Sequence, residues 1–335
     1  MKSTAVVLLN YNGLKLLKKF LPVAIKNSKN ASIFIIDNGS TDDSVLWTKA
    51  TYPNVECIVL DSNKGYAGGY NEGLKNIKAE IYALVNTDVE LTFNWLPPLL
   101  NRFDSNSETV IVQPHILNYN RRTHFDYAGA AGGYIDSLGI PFCRGRILNQ
   151  CEKDNNQYNE TVPIFWASGA CFLIRSNTFW EFGGFDTNFF AHQEEIDLCW
   201  RIFNAGYTIE ALGQSKVYHI GGATLPSSPR KIYLNHRNSL IMCTKNLPDN
   251  KLFSTLLKKL LLDGIIGIIY FMKFNFKATF SIIKAHFSFY KVFKANYLLR
   301  NNQKKSDKYF LRKNVIIDYF LFRRLNFKEL DKNYK

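Results

Sequence analysis

Five short runs rich in β-branched and other apolar residues, Thr4 to Leu9, Ser32 to Asp37, Val55 to Leu60, Ile81 to Val85 and Val110 to Gln113, punctuate the first third of the chain. Between them, Leu14 to Asn27, Asp42 to Thr51, Ala67 to Ile77 and Trp95 to Phe103 carry apolar residues at helical spacing. Strands alternating with amphipathic helices are the pattern of βα units, so the chain predicts a Rossmann-like, mostly parallel central sheet flanked by helices. Ser40-Thr41-Asp42-Asp43 supplies capping chemistry for the second helix. From about Leu117 to Pro163 the chain turns rich in Asn, Arg and Gly and reads as a loop-rich insertion with weak strands. A strand at Ala170 to Ile174, a helix after Ser176, a helix from Glu194 to Ala205 and a strand ending at His219 follow. After Pro229, helical patterns run to the end, and the composition changes near residue 246.

Charge sharpens that boundary. Residues 1–244 hold 22 basic and 22 acidic side chains, whereas residues 245–335 hold 20 basic and 6 acidic ones, so the whole excess of +14 is C-terminal. The basic residues interleave with Phe, Leu and Ile, as in Leu256-Leu257-Lys258-Lys259-Leu260, which favours amphipathic helices on a membrane surface over nucleic-acid binding. The longest apolar run, Leu260 to Met272, is interrupted by Asp263 and falls short of the roughly 20 residues a spanning helix needs. Six scattered cysteines without a C-x-x-C pair argue against a zinc ribbon or a disulfide framework and fit a reducing compartment. The apolar N-terminal stretch is too short for a signal segment and reads as a first strand, so the expected location is cytoplasmic, peripherally attached to the membrane face.

The candidate chemistry clusters where strands end, which is where open α/β sheets bind ligands. Ile35-Ile36-Asp37-Asn38-Gly39-Ser40 closes a strand with a carboxylate able to accept from a base or a ribose, although Asp-Asn-Gly is also common turn chemistry. Asn63-Lys64-Gly65-Tyr66-Ala67-Gly68-Gly69-Tyr70-Asn71 opens a helix with glycines that allow close backbone approach to a ligand; it is not G-x-G-x-x-G, which disfavours a dinucleotide oxidoreductase. In Asn86-Thr87-Asp88-Val89-Glu90, alternation along an extended chain would aim Asn86, Asp88 and Glu90 to one side, a donor set suited to Mg²⁺ or Mn²⁺ bridging a diphosphate. Glu194-Glu195-Ile196-Asp197 puts three carboxylates at a helix start, more than capping requires, and one of them could deprotonate a hydroxyl. His219, ahead of Gly221-Gly222-Ala223, could complete a metal site, and Arg237 could clamp phosphate or lie on a solvated helix face.

Taken together, Val6-Val7-Leu8-Leu9-Asn10-Tyr11-Asn12-Gly13, the Asp-Asn-Gly-Ser-Thr-Asp turn, the Asn63 to Asn71 loop, Asn86-Thr87-Asp88-Val89 and Glu194-Glu195-Ile196-Asp197-Leu198-Cys199-Trp200-Arg201 resemble family 2 glycosyltransferases, in the family's own order. Within it, the bacterial rhamnosyltransferase-like branch is the nearest in pattern. The resemblance covers roughly residues 3–246 and implies a GT-A fold over 1–246, with a nucleotide-binding half (1–116), the insertion (117–163) and an acceptor half (164–246), followed by a basic amphipathic helical tail (247–335). It also implies a nucleoside-diphosphate sugar donor (UDP- or dTDP-hexose, rhamnose included), a divalent cation, and inversion by single displacement onto a saccharide acceptor; the membrane-surface reading of the tail makes a lipid-linked acceptor, in cell-surface polysaccharide synthesis, the expectation.

By motif matching, Asn10 and Asp37 would line the nucleoside pocket, with Asn63, Gly65, Asn71, Asn86 and Arg237 toward the donor. Asp88, with Glu90 and His219, would hold the metal. Glu195 would be the acceptor-activating carboxylate, with Glu194 as its neighbour and Asp197 in support. The chain departs from the family in having Glu where Asp usually follows the first Glu, and in lacking a strict Asp-x-Asp. Two competing readings are a sugar-nucleotide pyrophosphorylase, disfavoured because Asn10-Tyr11-Asn12-Gly13 carries no basic residue for a triphosphate, and a membrane-surface carbohydrate-binding module, which has no use for Asp88 and Glu195.

Overall fold

The computed structural model describes residues 2–221, 228–302 and 305–331. Its first half runs β1 (Thr4–Asn10), α1 (Leu14–Asn27), β2 (Ser32–Asp37), α2 (Ser44–Thr51), β3 (Glu56–Val59), α3 (Gly65–Leu74), β4 (Ile81–Asn86), β5 (Val89–Leu91), α4 (Leu96–Ser105) and β6 (Thr109–Asn118). β7 (Gly133–Ile135), β8 (Pro141–Cys143), β9 (Arg146–Ile147), β10 (Gln150–Cys151) and β11 (Thr161–Pro163) follow, then β12 (Cys171–Arg175), α5 (Ser176–Glu181), α6 (Glu194–Asn204) and β13 (Thr208–His219). The chain closes with α7 (Pro229–Asn246), α8 (Asp249–Met272), α9 (Phe276–Leu298), α10 (Val315–Phe320) and α11 (Phe327–Asp331).

The main sheet has the order β11-β13-β6-β12-β4-β1-β2-β3, with β5 paired to β13. β3, β2, β1 and β4 are parallel; β12 enters antiparallel between β4 and β6, and β13 is again parallel to β6. Both faces are covered, and β1 shows why its sequence reads as one apolar run: Ala5 and Val7 face the core that holds Tyr70, Phe172 and Trp200, while Val6 and Leu8 face Leu17, Trp95 and Phe103 on the other side.

Three expectations change. The side chain of Asp42 does not cap α2 alone: it accepts from the backbone N–H of Leu14 at 3.0 Å and from the Ser44 N–H and hydroxyl, bridging the starts of α1 and α2. β6 is ten residues long, running through Pro114, because β13 bulges opposite that proline, the register jumping from Leu212↔Pro114 to Lys216↔His115. The insertion folds as a four-stranded antiparallel sheet, β10-β9-β8-β7, whose Ile135, Phe142 and Ile147 are buried in the main core.

The C-terminal part is likewise bound to the body. α8 and α9 form an antiparallel hairpin against α7, and the chain then returns, stacking Tyr309 on Trp200 (centroids 5.2 Å) and Phe327 on Tyr134 (5.2 Å). Asp263 of α8 accepts from His236 of α7 at 2.8 Å and His286 of α9 at 3.1 Å, tying the three helices together.

Candidate active site

The carboxyl ends of β1, β2 and β4 open onto one edge of the sheet. Asn10, buried at the end of β1, donates through Nδ2 to Asp37 Oδ1 (2.8 Å) and the Ser44 hydroxyl (2.9 Å), while its Oδ1 has no partner. Gly13 has to be glycine, since a Cβ there would fall 2.3 Å from that oxygen. Asp37 is buried, and its second oxygen accepts from the Ser40 N–H at 2.9 Å.

Beyond β4 the chain turns at Thr87-Asp88 and re-enters the sheet as β5, whose Val89 pairs with His219 at the end of β13. That pairing sets Asp88 against the imidazole. His219 Nε2 lies 3.2 Å from Asp88 Oδ1, and Nδ1 lies 2.9 Å from Asp126 Oδ2. Burial pulls the ring's affinity for a proton down, but the hydrogen bonds to Asp126 and Asp88 outweigh it and hold His219 up at about 10. Asp88 Oδ1 is buried without a well-formed hydrogen bond. Once Nε2 gives up its proton, the buried Asp88 carboxylate and an imidazole whose far nitrogen is fixed by a second carboxylate are donors suited to a divalent cation. Among the described residues no group of three or more His, Cys, Asp or Glu is placed to hold a metal ion by itself. Gly222 and Ala223 of the His219 motif lie outside the described residues.

The carboxylates of α6 approach the same edge. The Asn86 N–H donates to Ala170 O at 2.9 Å, and the neighbouring Gly169 adjoins Glu195, whose carboxyl carbon would lie at an ordinary contact distance of 3.8 Å from a Cβ there. Glu194 Oε2 and Glu195 Oε2 are both buried without a partner. Burial, then the adjacent Glu195, raises Glu194 well above the carboxylate range; burial pushes Glu195 up to about 7 against backbone N–H groups that favour its ionised form. A carboxyl group that titrates near neutral pH and has one oxygen without a partner is suited to taking a proton from a hydroxyl.

Ahead of α6 the backbone is strained. Phe190 (φ 62°), His192 (φ 70°) and Gln193 (φ 74°) all adopt left-handed conformations, each costing on the order of 1–3 kcal/mol. α7 holds them down: Asn238 Nδ2 donates to the carbonyls of Phe189, Ala191 and His192 at 2.8–2.9 Å. His192 Nε2 and Gln193 Oε1 are buried without partners, and burial lowers the His192 imidazole to about 4, so it is neutral.

Several residues expected in the site serve the scaffold instead. Glu90, expected as a metal ligand, forms a two-pronged pair with Arg122 (2.9 Å each), because the turn at Thr87-Asp88 breaks the alternation that would have aimed it beside Asp88. Asp197 is wholly buried between Arg201 (2.9 Å), Lys245 (2.9 Å) and Asn246 (2.8 Å); despite burial, these partners keep its carboxyl below the usual range, and it has no free oxygen to move a proton. Arg237 donates to the carbonyls of Asn188 and Phe189 and to Asn238 Oδ1 rather than to a cleft. Asn71 clamps the backbone of Phe185 through both side-chain atoms (2.7 and 3.0 Å), and Asn63 accepts from the Gly65 N–H (2.9 Å). Gly65 (φ +72°) makes room for protein, not ligand: the Phe190 carbonyl would be 2.3 Å from a Cβ and accepts from the N–H groups of Tyr66 and Ala67 at the start of α3. Lys64 pairs with Asp61 at 3.1 Å. Conversely, Asp126, His192, Gln193 and Asn238 were not assigned roles from sequence. His192 and Gln193 directly precede the Glu194-Glu195 motif, but nothing local marks Asp126.

The profile of glycosyl transferase family 2 matches residues 5–183. The N-acetylglucosaminyl-diphospho-decaprenol L-rhamnosyltransferase of Mycobacterium tuberculosis is 24% identical over 253 residues, 70% of this chain and 81% of its own. Among solved structures, GalNAc-T7 with UDP, GalNAc and Mn²⁺ superposes with a TM-score of 0.58 at 17% identity, covering 75% of this chain and 49% of that one, so this chain spans about half its length. A mannosyltransferase of Pyrobaculum calidifontis with GDP-Man and Mn²⁺ superposes with a TM-score of 0.54 at 11% identity over 86% of this chain and 87% of that one. At these identities the structural likeness is one of fold.

Proposed function

Because the chain belongs to glycosyl transferase family 2, we propose that it transfers a hexose, rhamnose among the candidates, from a UDP- or dTDP-sugar to a lipid-linked saccharide with inversion at the anomeric carbon. The observation that carries this reading is the placing of the Asp88–His219 pair and of three buried oxygens without a partner, Asn10 Oδ1, Glu194 Oε2 and Glu195 Oε2, on elements that meet at one edge of the sheet. Buried polar atoms without a partner are groups that a ligand or an ordered water completes.

In this reading Asn10 and Asp37 receive the nucleoside and Asn86 lies toward the diphosphate. Asp88 and His219 would hold Mg²⁺ or Mn²⁺, and Asp126 fixes the imidazole's orientation. A cation bound there supplies positive charge to the diphosphate as it leaves. Glu195 takes the proton from the acceptor hydroxyl as it attacks opposite the leaving group, and Glu194 beside it, raised well above the carboxylate range by burial and by Glu195, stays protonated. Neutral His192 and Gln193 present unpaired polar atoms to the sugars. A lipid-linked acceptor places the enzyme at the cytoplasmic membrane face, and among the described residues no helix is long and apolar enough to cross a membrane.

The test is turnover of UDP- and dTDP-sugars, with and without Mn²⁺, on lipid-linked glycan acceptors. Asp88→Ala is expected to abolish transfer while the chain stays folded. Metal-independent turnover at the wild-type rate in that variant would overturn the assignment.

A further inference from the structure

Of the 28 large apolar side chains exposed among the described residues, 22 lie between Phe253 and Leu325. On α8, Phe253, Leu257, Leu261, Ile265 and Ile268 recur at steps of four and three, a single helix face. On α9, Phe276, Phe280, Ile283, Phe287 and Tyr290 repeat the same steps. The opposite faces, with Leu252, Leu256, Asp263, Ile282, Ala285 and Phe289, are buried within the fold. The two exposed stripes meet at the reversal between the helices, where Phe271, Met272 and Phe274 stand in solvent, Phe274 81% exposed on a left-handed backbone.

Charge identifies what covers this surface. Between Asn250 and Ser306 the sequence has one acidic residue, Asp263, and it is buried in the grip of His236 and His286. Every exposed charged side chain between Asn250 and Leu298 is a lysine: Lys258, Lys273, Lys277, Lys284, Lys291 and Lys294. Protein interfaces are depleted in lysine at their cores, and two copies of this face would oppose lysine to lysine with no carboxylate to meet it. An anionic bilayer accepts both features at once, rings and aliphatic chains at the acyl boundary and ammonium groups among headgroup phosphates.

We propose that the α8–α9 hairpin is a monotopic anchor that lays its apolar face, turn first, into an anionic bilayer. The inference deepens the membrane location proposed above and rests on it, while the transfer chemistry does not depend on it.

Flotation of the full chain with phosphatidylcholine vesicles, with and without phosphatidylglycerol, tests it. The intact chain is expected to float with the anionic vesicles, less so as salt rises and weakly with the neutral ones. Phe274→Ser with Phe280→Ser, both at exposed positions, is expected to lower partitioning about tenfold or more. Lys273→Ala with Lys277→Ala is expected to lower it about fivefold per lysine on anionic vesicles alone. Both variants should keep wild-type melting and transfer to a water-soluble acceptor. Undiminished flotation of the variants overturns the hairpin as the contact, and failure of the intact chain to float on any vesicle overturns the location too. A dimer in solution that the Phe variant dissociates, without vesicle binding, assigns the face to a second copy. Hairpin-dependent flotation with no sugar transfer leaves the anchor standing and removes the transferase mechanism.

Discussion

Glu195→Gln should slow the enzyme and strengthen the fold. In its proposed role of proton acceptor, Glu195 would contribute on the order of 10²–10⁴-fold to turnover, which Gln forfeits while donor binding survives. The fold should gain because burial raises Glu195 from its ordinary 4.5 to about 7, so the folded protein carries an ionised group it disfavours. Each tenfold change in proton affinity is worth about 1.4 kcal/mol, which sets an upper bound of roughly 3 kcal/mol. Since the residue keeps partial contact with solvent, a gain of about 1–2 kcal/mol is the expected value. The sign follows from linkage: below about 4.5 both folded and unfolded forms are protonated and nothing is lost, between 4.5 and about 7 the wild type loses stability as pH rises, and above that the loss is complete. Urea unfolding at pH 8 and at pH 4.5, beside transfer rates across the same range, reads both effects. Wild-type activity should rise with pH as Glu195 ionises. Full transfer by the Gln variant, with no added stability at pH 8, would refute the reasoning on both counts.

Other residues carry different expectations. Asp197→Ala strands Arg201 and Lys245 in the interior and should cost about 3–5 kcal/mol in urea unfolding; lost activity at unchanged stability would return Asp197 to the chemistry. Asp126→Ala should weaken Mn²⁺ affinity roughly 10–100-fold by calorimetry, through the orientation of His219 alone. Glu90→Ala should leave that affinity unchanged, since its partner is Arg122; a tenfold loss would restore it as a ligand. Gly65→Ala sets a methyl against the Phe190 carbonyl at positive φ and should destabilise by roughly 1–3 kcal/mol while raising the acceptor KM, both read on the purified variant.

The strands and helices of the parallel half were readable because each is a long periodic run, and β2 and α1 fall within the same residues in sequence and structure. β7 to β10, of two or three residues each, are too short to carry a period, and Pro114 disguised β6 until the bulge opposite it was visible. In the site, motif order drew attention to Asp88, His219 and the Glu194-Glu195 pair, which the fold brings to one edge. Spacing alone misled at Glu90, where a turn intervenes, and at Asn71 and Gly65, whose polarity and freedom serve close packing between α3 and the 185–190 segment. Asp126 reaches His219 from 93 residues away in sequence, and no local pattern announces such a meeting.

Residues 236 to 238 give α7 a double duty. His236 fastens the helix to Asp263, while Arg237 and Asn238, one and two steps along, restrain the taut carbonyls just ahead of Glu194. α7 is thus a splint whose footing is the hairpin, and the strain it suppresses is released wherever that footing is cut away. Trimming the chain near residue 246 would therefore yield not a leaner catalyst but a slackened one, with the Glu194-Glu195 turn adrift from the sheet edge it adjoins.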